Sequence, residues 1–343
     1  MAIFKYYTKR YSSCNCFIVE FDPKVIRFDL SVGTDKKLEK LSKMNGDIRE
    51  NEVPLAKLNG GFFDTKGTSD YIGGYIDEGK MYQINEPYYP VAIFWKDYQL
   101  LAEFDPTETR QKAYVNNANW AIGCPWTVIV NGKYDYHYPK GTLTRIFGHP
   151  FTKQPRSMMG QKADGTIVWV AVDGRSSNSV GMTLDTCGKL MLELGCVNAF
   201  NLDGGGSTEM ICHNTIVNKL SDGAERSIGT ALFAYLNLND EIYGKVNADN
   251  LNVRAQSSTK SNIITQLSEG TEVKIIGYSY GWFKIKYKNI TGWCSGPYID
   301  LTSTKPTVTE VEETKTEEHT KIAKKPIGLD ELKSMGYKKI DLI

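Results

Sequence analysis

Ile167-Val168-Trp169-Val170-Ala171-Val172-Asp173-Gly174-Arg175 is an apolar run that ends in an acid, a glycine and a base. A run with no polar alternation is the pattern of a strand buried on both faces. Downstream, Leu184, Cys187, Leu190, Met191 and Leu194 recur at helical spacing. Thr183 suits the N-cap, Asp185 the electropositive first turn and Gly195 the C′ position. Residues 197–202 then read as a second short strand, closed by Asp203. Strand, helix and strand at these lengths predict a crossover unit whose two strands are parallel. The predicted fold is a mixed α/β (α+β) catalytic domain built on a central mixed β-sheet.

Parallel strands end at one edge of a sheet, which places Asp173 and Asp203 on a common rim with Arg175. Asp203 opens Asp203-Gly204-Gly205-Gly206-Ser207-Thr208. Glycines let backbone N–H groups approach an anion with no Cβ in the way, and the hydroxyls add further donors. The plain alternative for three glycines is a flexible turn. Their position at the rim, beside a second acid and an arginine, favours a site.

These residues carry a resemblance. Val172-Asp173-Gly174-Arg175, Gly181-Met182-Thr183-Leu184 and Asn201-Leu202-Asp203-Gly204-Gly205-Gly206-Ser207-Thr208 resemble the signature of the phosphodiester glycosidase family, enzymes of the N-acetylglucosamine-1-phosphodiester α-N-acetylglucosaminidase type. Asn59-Gly60-Gly61-Phe62-Phe63 is similar to that family's early motif, although on its own Asn59-Gly60 reads as a hairpin turn. Pro155-Arg156-Ser157-Met158-Met159-Gly160 and Glu225-Arg226 with Ala231-Leu232 match further pieces, with Ser157 in place of Thr and Ser227 in place of Pro. The resemblance spans roughly the first 240 residues.

It implies hydrolysis of a sugar-1-phosphodiester at the anomeric carbon, releasing a sugar such as N-acetylglucosamine and leaving a phosphomonoester. Such a site needs a carboxylate at the oxocarbenium-like centre, with positive charge and oriented donors around the departing phosphate. Asp203 and Asp173 are the candidate carboxylates, one acting as base or nucleophile and the other able merely to orient a partner. Arg175 and Arg156 are candidate phosphate clamps, with Arg226 a third. Asn59, Gly60, Gly61, Asn201, Gly204, Gly205, Gly206, Ser207 and Thr208 are candidates for binding phosphate or sugar hydroxyls. No motif demands a cofactor, although the acids leave room for a divalent cation.

Charge and cysteine usage narrow the class. Forty-one Lys+Arg against 40 Asp+Glu give a net charge of +1, without the basic excess of a general nucleic-acid binder. Seven scattered cysteines without a C-x-x-C read as reduced thiols, and four histidines lack zinc-ligand spacing. The first residues carry Lys5, Lys9 and Arg10 and no apolar core, so no secretory signal is expected, nor any membrane span.

From residue 244 the pattern changes to short strands and turns. Leu251-Asn252-Val253-Arg254, Gly281-Trp282-Phe283-Lys284-Ile285 and Gly292-Trp293-Cys294 resemble the bacterial SH3-type domain, a small all-β barrel. That resemblance implies attachment to wall peptide or glycan; a barrel that only packs on the enzyme is the alternative. The expected domains are 1–243 catalytic, 244–301 SH3-type, 302–326 a disordered linker rich in Thr, Glu and Lys, and 327–343 a short helical docking peptide or frayed end. The expected partners are a sugar phosphate or cell-wall glycan, with peptidoglycan on the barrel. The expected setting is a phage particle or the cell wall after release, with the cytoplasm as fallback. The competing functional reading is a non-catalytic glycan-binding or structural component of a phage particle.

Overall fold

The computed structural model describes residues 2–32, 37–63, 73–83, 90–103, 108–123, 126–134 and 150–302. The expected linker and C-terminal peptide lie outside these residues, apart from the end of the last strand, Ile299–Thr302. Three large sheets form the framework, and every strand pairing in them is antiparallel. Among the described residues only two α-helices occur, Glu108–Asn117 and Leu184–Glu193. The expected mixed α/β catalytic domain is therefore corrected to a predominantly β architecture.

The cause lies in the strand order. The strand Arg156–Lys162 lies between Ile167–Val172 and Cys196–Asn201 and pairs antiparallel with both. Those two strands consequently run in the same direction, as the crossover reading requires, but they are not neighbours. An earlier strand fills the gap, and a sheet that reads as parallel from its crossover is antiparallel throughout. The helix behaves as predicted: Thr183 Oγ1 accepts from Thr186 N–H at 3.3 Å, and Gly195 takes φ +86° after the last turn.

The two faces of the strand Ile167–Val172 are buried by different kinds of partner. Val168, Val170 and Val172 pack with Ile18 against Leu184, Cys187, Leu190 and Met191 of the helix. Ile167, Trp169 and Ala171 face the opposite way, into a core shared with Phe21, Phe28, Leu58 and Phe94. Trp169 is fully buried, with its ring centroid 4.8 Å from that of Phe21. Leu58 and Phe28 come from the second sheet, whose central strands are Glu52–Asn59 and Thr230–Asn237, and Phe94 comes from the third. One face thus meets a helix and the other meets more β-structure.

The first sheet does not stop at these strands. Its N-terminal strand, Ala2–Tyr11, pairs with Ile299–Thr302, which pairs in turn with Tyr243–Val246, so the sheet runs without a break into the C-terminal barrel. His213, in the turn after Met210–Cys212, plugs this junction. Its ring lies 5.1 Å from Phe4 and 5.4 Å from Phe283, edge-on to both. Gly281 and Gly296 make room for it: a Cβ on Gly281 would sit 2.1 Å from the His213 carbonyl oxygen, and one on Gly296 2.4 Å from Nδ1. Burial pushes the His213 imidazole down to about 3, so it stays neutral.

Candidate active site

The strand registers fix where the chemistry gathers. Trp126 pairs with Asn201 and Arg156 with Val172, so the starts of two strands and the ends of their antiparallel neighbours share one edge. A cleft of about 160 Å³ opens there, lined by Phe62, Trp126, Gln154, Arg156, Arg175, Asp203, the three glycines and Arg226.

Asp203 is the one carboxylate among the described lining residues. Burial pushes its carboxyl up from 3.8 to about 6, against the opposing pull of Ser207, the Gly204 N–H and the Arg226 charge. The Gly204 N–H donates to its Oδ1 at 2.8 Å. Its backbone is pinned too, with N–H donated to the Gly60 carbonyl at 3.0 Å and its own carbonyl accepting from Asn59 Nδ2 at 2.7 Å.

Asp173 ends its strand near this edge but is not among the lining residues. It is 4% exposed, and burial raises its carboxyl above the ordinary range. Its Oδ1 accepts from the Lys219 N–H at 2.8 Å and Oδ2 from Asn15 Nδ2 at 3.3 Å. It therefore anchors the start of the 219–226 loop, whose far end carries Arg226.

Arg175 stands at φ +56° after its strand. Its Nε donates to Gln154 Oε1 at 3.0 Å, and Nη1 approaches Asp222 Oδ1 at 3.3 Å. Arg226 donates to the other oxygen of the same carboxylate, Asp222 Oδ2. Arg156 differs from both. It is 2% exposed, burial depresses its guanidinium, and it donates to the carbonyls of Met182 (2.9 Å) and Thr152 (3.0 Å). It braces the loops on either side of the cleft.

The glycine run has a second use beside the expected N–H cradle. Gly205 N–H is spent on the Pro155 carbonyl, and Gly204 N–H on Asp203. The missing side chains matter more: a Cβ on Gly206 would lie 2.0 Å from Asp222 Oδ2 and 2.1 Å from Arg226 Nη2, and one on Gly205 2.9 Å from Arg175 Nη2. The glycines let the arginines and Asp222 lie against bare backbone.

Asn59 is 1% exposed, and its amide bonds Asp203, Ser157 (2.5 Å) and Glu209 (3.1 Å), so it organises the site from behind. Gly60 and Gly61 cross Thr230 closely and donate to its carbonyl and hydroxyl, each at 2.8 Å. Asn201 Oδ1, Ser207 Oγ and Thr208 Oγ1 are buried without a well-formed hydrogen bond, and Ser207 Oγ stands near the Asp203 carboxyl. Neither Asn201 nor Thr208 lines the cleft. Among the described residues no group of three or more His, Cys, Asp or Glu is arranged to hold a metal ion.

Sequence reasoning missed four features. Trp126 and Phe62 form an aromatic wall, their rings edge-on with centroids 5.8 Å apart; Gln154, just ahead of Pro155-Arg156, positions Arg175. Asp222, four residues before Arg226, lies in a loop, where that spacing carries no signal of its own. Glu209 is 2% exposed beside Glu225, and burial together with the Glu225 carboxylate pushes it up to about 8. Glu225 accepts from Ser42 N–H at 3.0 Å and Ser42 Oγ at 2.9 Å, fixing the residue next to Arg226.

A family profile decides the kinship. That of the phosphodiester glycosidases matches residues 54–235, more than half of this 343-residue chain. The chain belongs to the phosphodiester glycosidase family. In the same chain, residues 249–300 additionally match the bacterial SH3 domain profile. The fold is similar to that of the zebrafish N-acetylglucosamine-1-phosphodiester α-N-acetylglucosaminidase catalytic domain, auto-inhibited there by its pro-peptide. The TM-score is 0.56 at 21% identity, over 68% of this chain and 82% of that one. Two Bacillus subtilis (strain 168) proteins match shorter segments. The SPbeta prophage-derived protein YomE is 47% identical over 76 residues, and the candidate N-acetylmuramoyl-L-alanine amidase YrvJ 38% identical over 63. These matches span 22% and 18% of this chain and 12% of each relative's length.

Proposed function

We propose that this glycosidase hydrolyses sugar-1-phosphodiesters on a bacterial cell-wall or surface glycan, and that the SH3-type barrel holds it on the wall. The observation that carries the chemistry is a single cleft holding a half-buried carboxylate, Asp203, with Arg175 and Arg226 beside it and an aromatic wall as its flank. The proposed reaction forms a bond from water oxygen to the anomeric carbon and breaks the bond from that carbon to the phosphate oxygen. A phosphomonoester leaves as a stable anion (second pKa about 6), so the leaving oxygen needs little protonation. Asp203 serves the attacking side, taking the water proton or attacking the carbon itself. Both roles need it ionised, and both give activity that rises through about pH 6.

Arg175 and Arg226 hold the phosphate, and the Trp126–Phe62 wall takes the apolar face of the sugar. Arg156, Asn59 and Asp173 act as positioning residues. The wall setting is supported by the SH3 match and the similarity to YrvJ, and a phage origin by the similarity to YomE. The test is release of free sugar from N-acetylglucosamine-1-phosphodiesters and from wall glycan phosphates, comparing wild type with Asp203→Asn and Arg175→Gln. Polymer binding with no product from any of these would turn the reading to a glycan-binding part of a particle.

A further inference from the structure

We infer that Asp222 sets the charge of the ligand this cleft accepts, making it selective for the singly charged phosphodiester over the doubly charged phosphomonoester. The inference rests on the proposed reading of the cleft and adds a discriminating residue to it. Asp222 stands between the two arginines, one oxygen 3.3 Å from Arg175 Nη1 and the other bonded to Arg226 Nη2, against the bare backbone of Gly206. Arg226 follows it by four residues, across the turn at Gly223 (φ +79°).

The charge count follows directly. Three guanidinium groups line the cleft, and an ionised Asp203 together with Asp222 leaves one net positive charge. That balances a diester, which carries one negative charge, and leaves a monoester dianion in excess by one. Like charge held within a few ångströms is unfavourable even at these solvent-exposed side chains. A guanidinium offers five N–H donors, so one carboxylate does not exhaust two of them, and a phosphate can share the pair with Asp222. The same arrangement repels the product, because hydrolysis converts a monoanion into a phosphomonoester dianion. Binding the diester and expelling the monoester thus become one electrostatic property.

The experiment measures inhibition of sugar-phosphodiester hydrolysis at pH 8 by dimethyl phosphate (monoanion) and methyl phosphate (dianion). It uses the full chain as wild type, Asp222→Asn and Asp222→Ala, with thermal unfolding confirming that each is folded. In both variants the inhibition constant for methyl phosphate falls about tenfold or more, while that for dimethyl phosphate changes much less. If Asp222 merely props up the arginines, both anions bind more weakly in the variants, and the inference fails while hydrolysis by the wild type upholds the cleft's assignment. Unchanged selectivity overturns it equally. If neither anion competes and no sugar phosphodiester is hydrolysed by any of the proteins, the assignment of the cleft falls, and the inference with it.

Discussion

Replacing Asp203 with asparagine should abolish hydrolysis and at the same time stabilise the protein. In the folded chain the carboxyl titrates at about 6, against 3.8 for an ordinary aspartate. Each tenfold in that proton equilibrium is worth about 1.4 kcal/mol, so holding Asp203 ionised in the cleft costs about 3 kcal/mol of stability at neutral pH. The sign follows from the raised value. The folded state keeps a proton that the unfolded chain gives up, so the contribution of this group to stability is greatest below pH 3.8, falls as pH rises to about 6, and levels off above. Asparagine cannot ionise, and its Oδ1 can still accept from the Gly204 N–H. The two proteins should therefore unfold at similar temperatures near pH 3.5. By pH 8 asparagine should unfold roughly 5–10 °C higher. Thermal unfolding across pH 3.5–8, paired with initial rates on a sugar-1-phosphodiester, measures both consequences. A constant stability difference across that range, or a variant less stable than wild type at pH 8, would refute the reasoning that burial strains this group.

Three further substitutions probe the scaffold around it. Gly206→Ala drives a methyl group into the Asp222–Arg226 pair; because those atoms end exposed, flexible side chains, the fold should survive while kcat/KM falls about 10–100-fold. Asp173→Ala should cost about 2–3 kcal/mol in urea unfolding by stranding the Lys219 N–H, and should lower kcat/KM through the 219–226 loop without moving the activity limb near pH 6. Glu209→Gln should gain stability over wild type progressively between pH 4.5 and about 8, the window in which the folded chain retains a proton that the unfolded chain loses; a gap that stays flat over this window would show that Glu209 is already ionised.

Much of the site was legible because local rules and tertiary demands agree there. The Leu184–Glu193 helix, its Thr183 cap and Gly195 stop follow from spacing and capping chemistry, and the common direction of the strands on either side follows from the connection length. What failed was adjacency. Nothing between residues 167 and 201 announces that Arg156–Lys162 will slot between the two strands, because that pairing is settled by side-chain fit across the sheet. The roles of Asn59, Arg156 and Asp173 stay open in the sequence for a related reason. A polar residue beside a site can face the ligand or hold the residue that does, and only the hydrogen bonds of Asn59 to Asp203, and of Asp173 to Lys219, separate the two cases. Trp126 and Asp222 were missed because each gains its meaning from partners distant in sequence, Phe62 and Arg175.

The unbroken sheet that carries the N-terminal strand into the barrel, with His213 packed at the seam, joins the two by main-chain pairing, so that an enzyme and anchor of the kind proposed above would move together. A flexible leash would let a catalytic head sweep a volume of wall and cut whatever bond it met. Two units joined in this way would reach only those bonds that lie at a set distance and angle from the point where the barrel is proposed to grip. Spacing along the polymer would then act as a ruler, choosing which phosphates are cut even where their chemistry is identical.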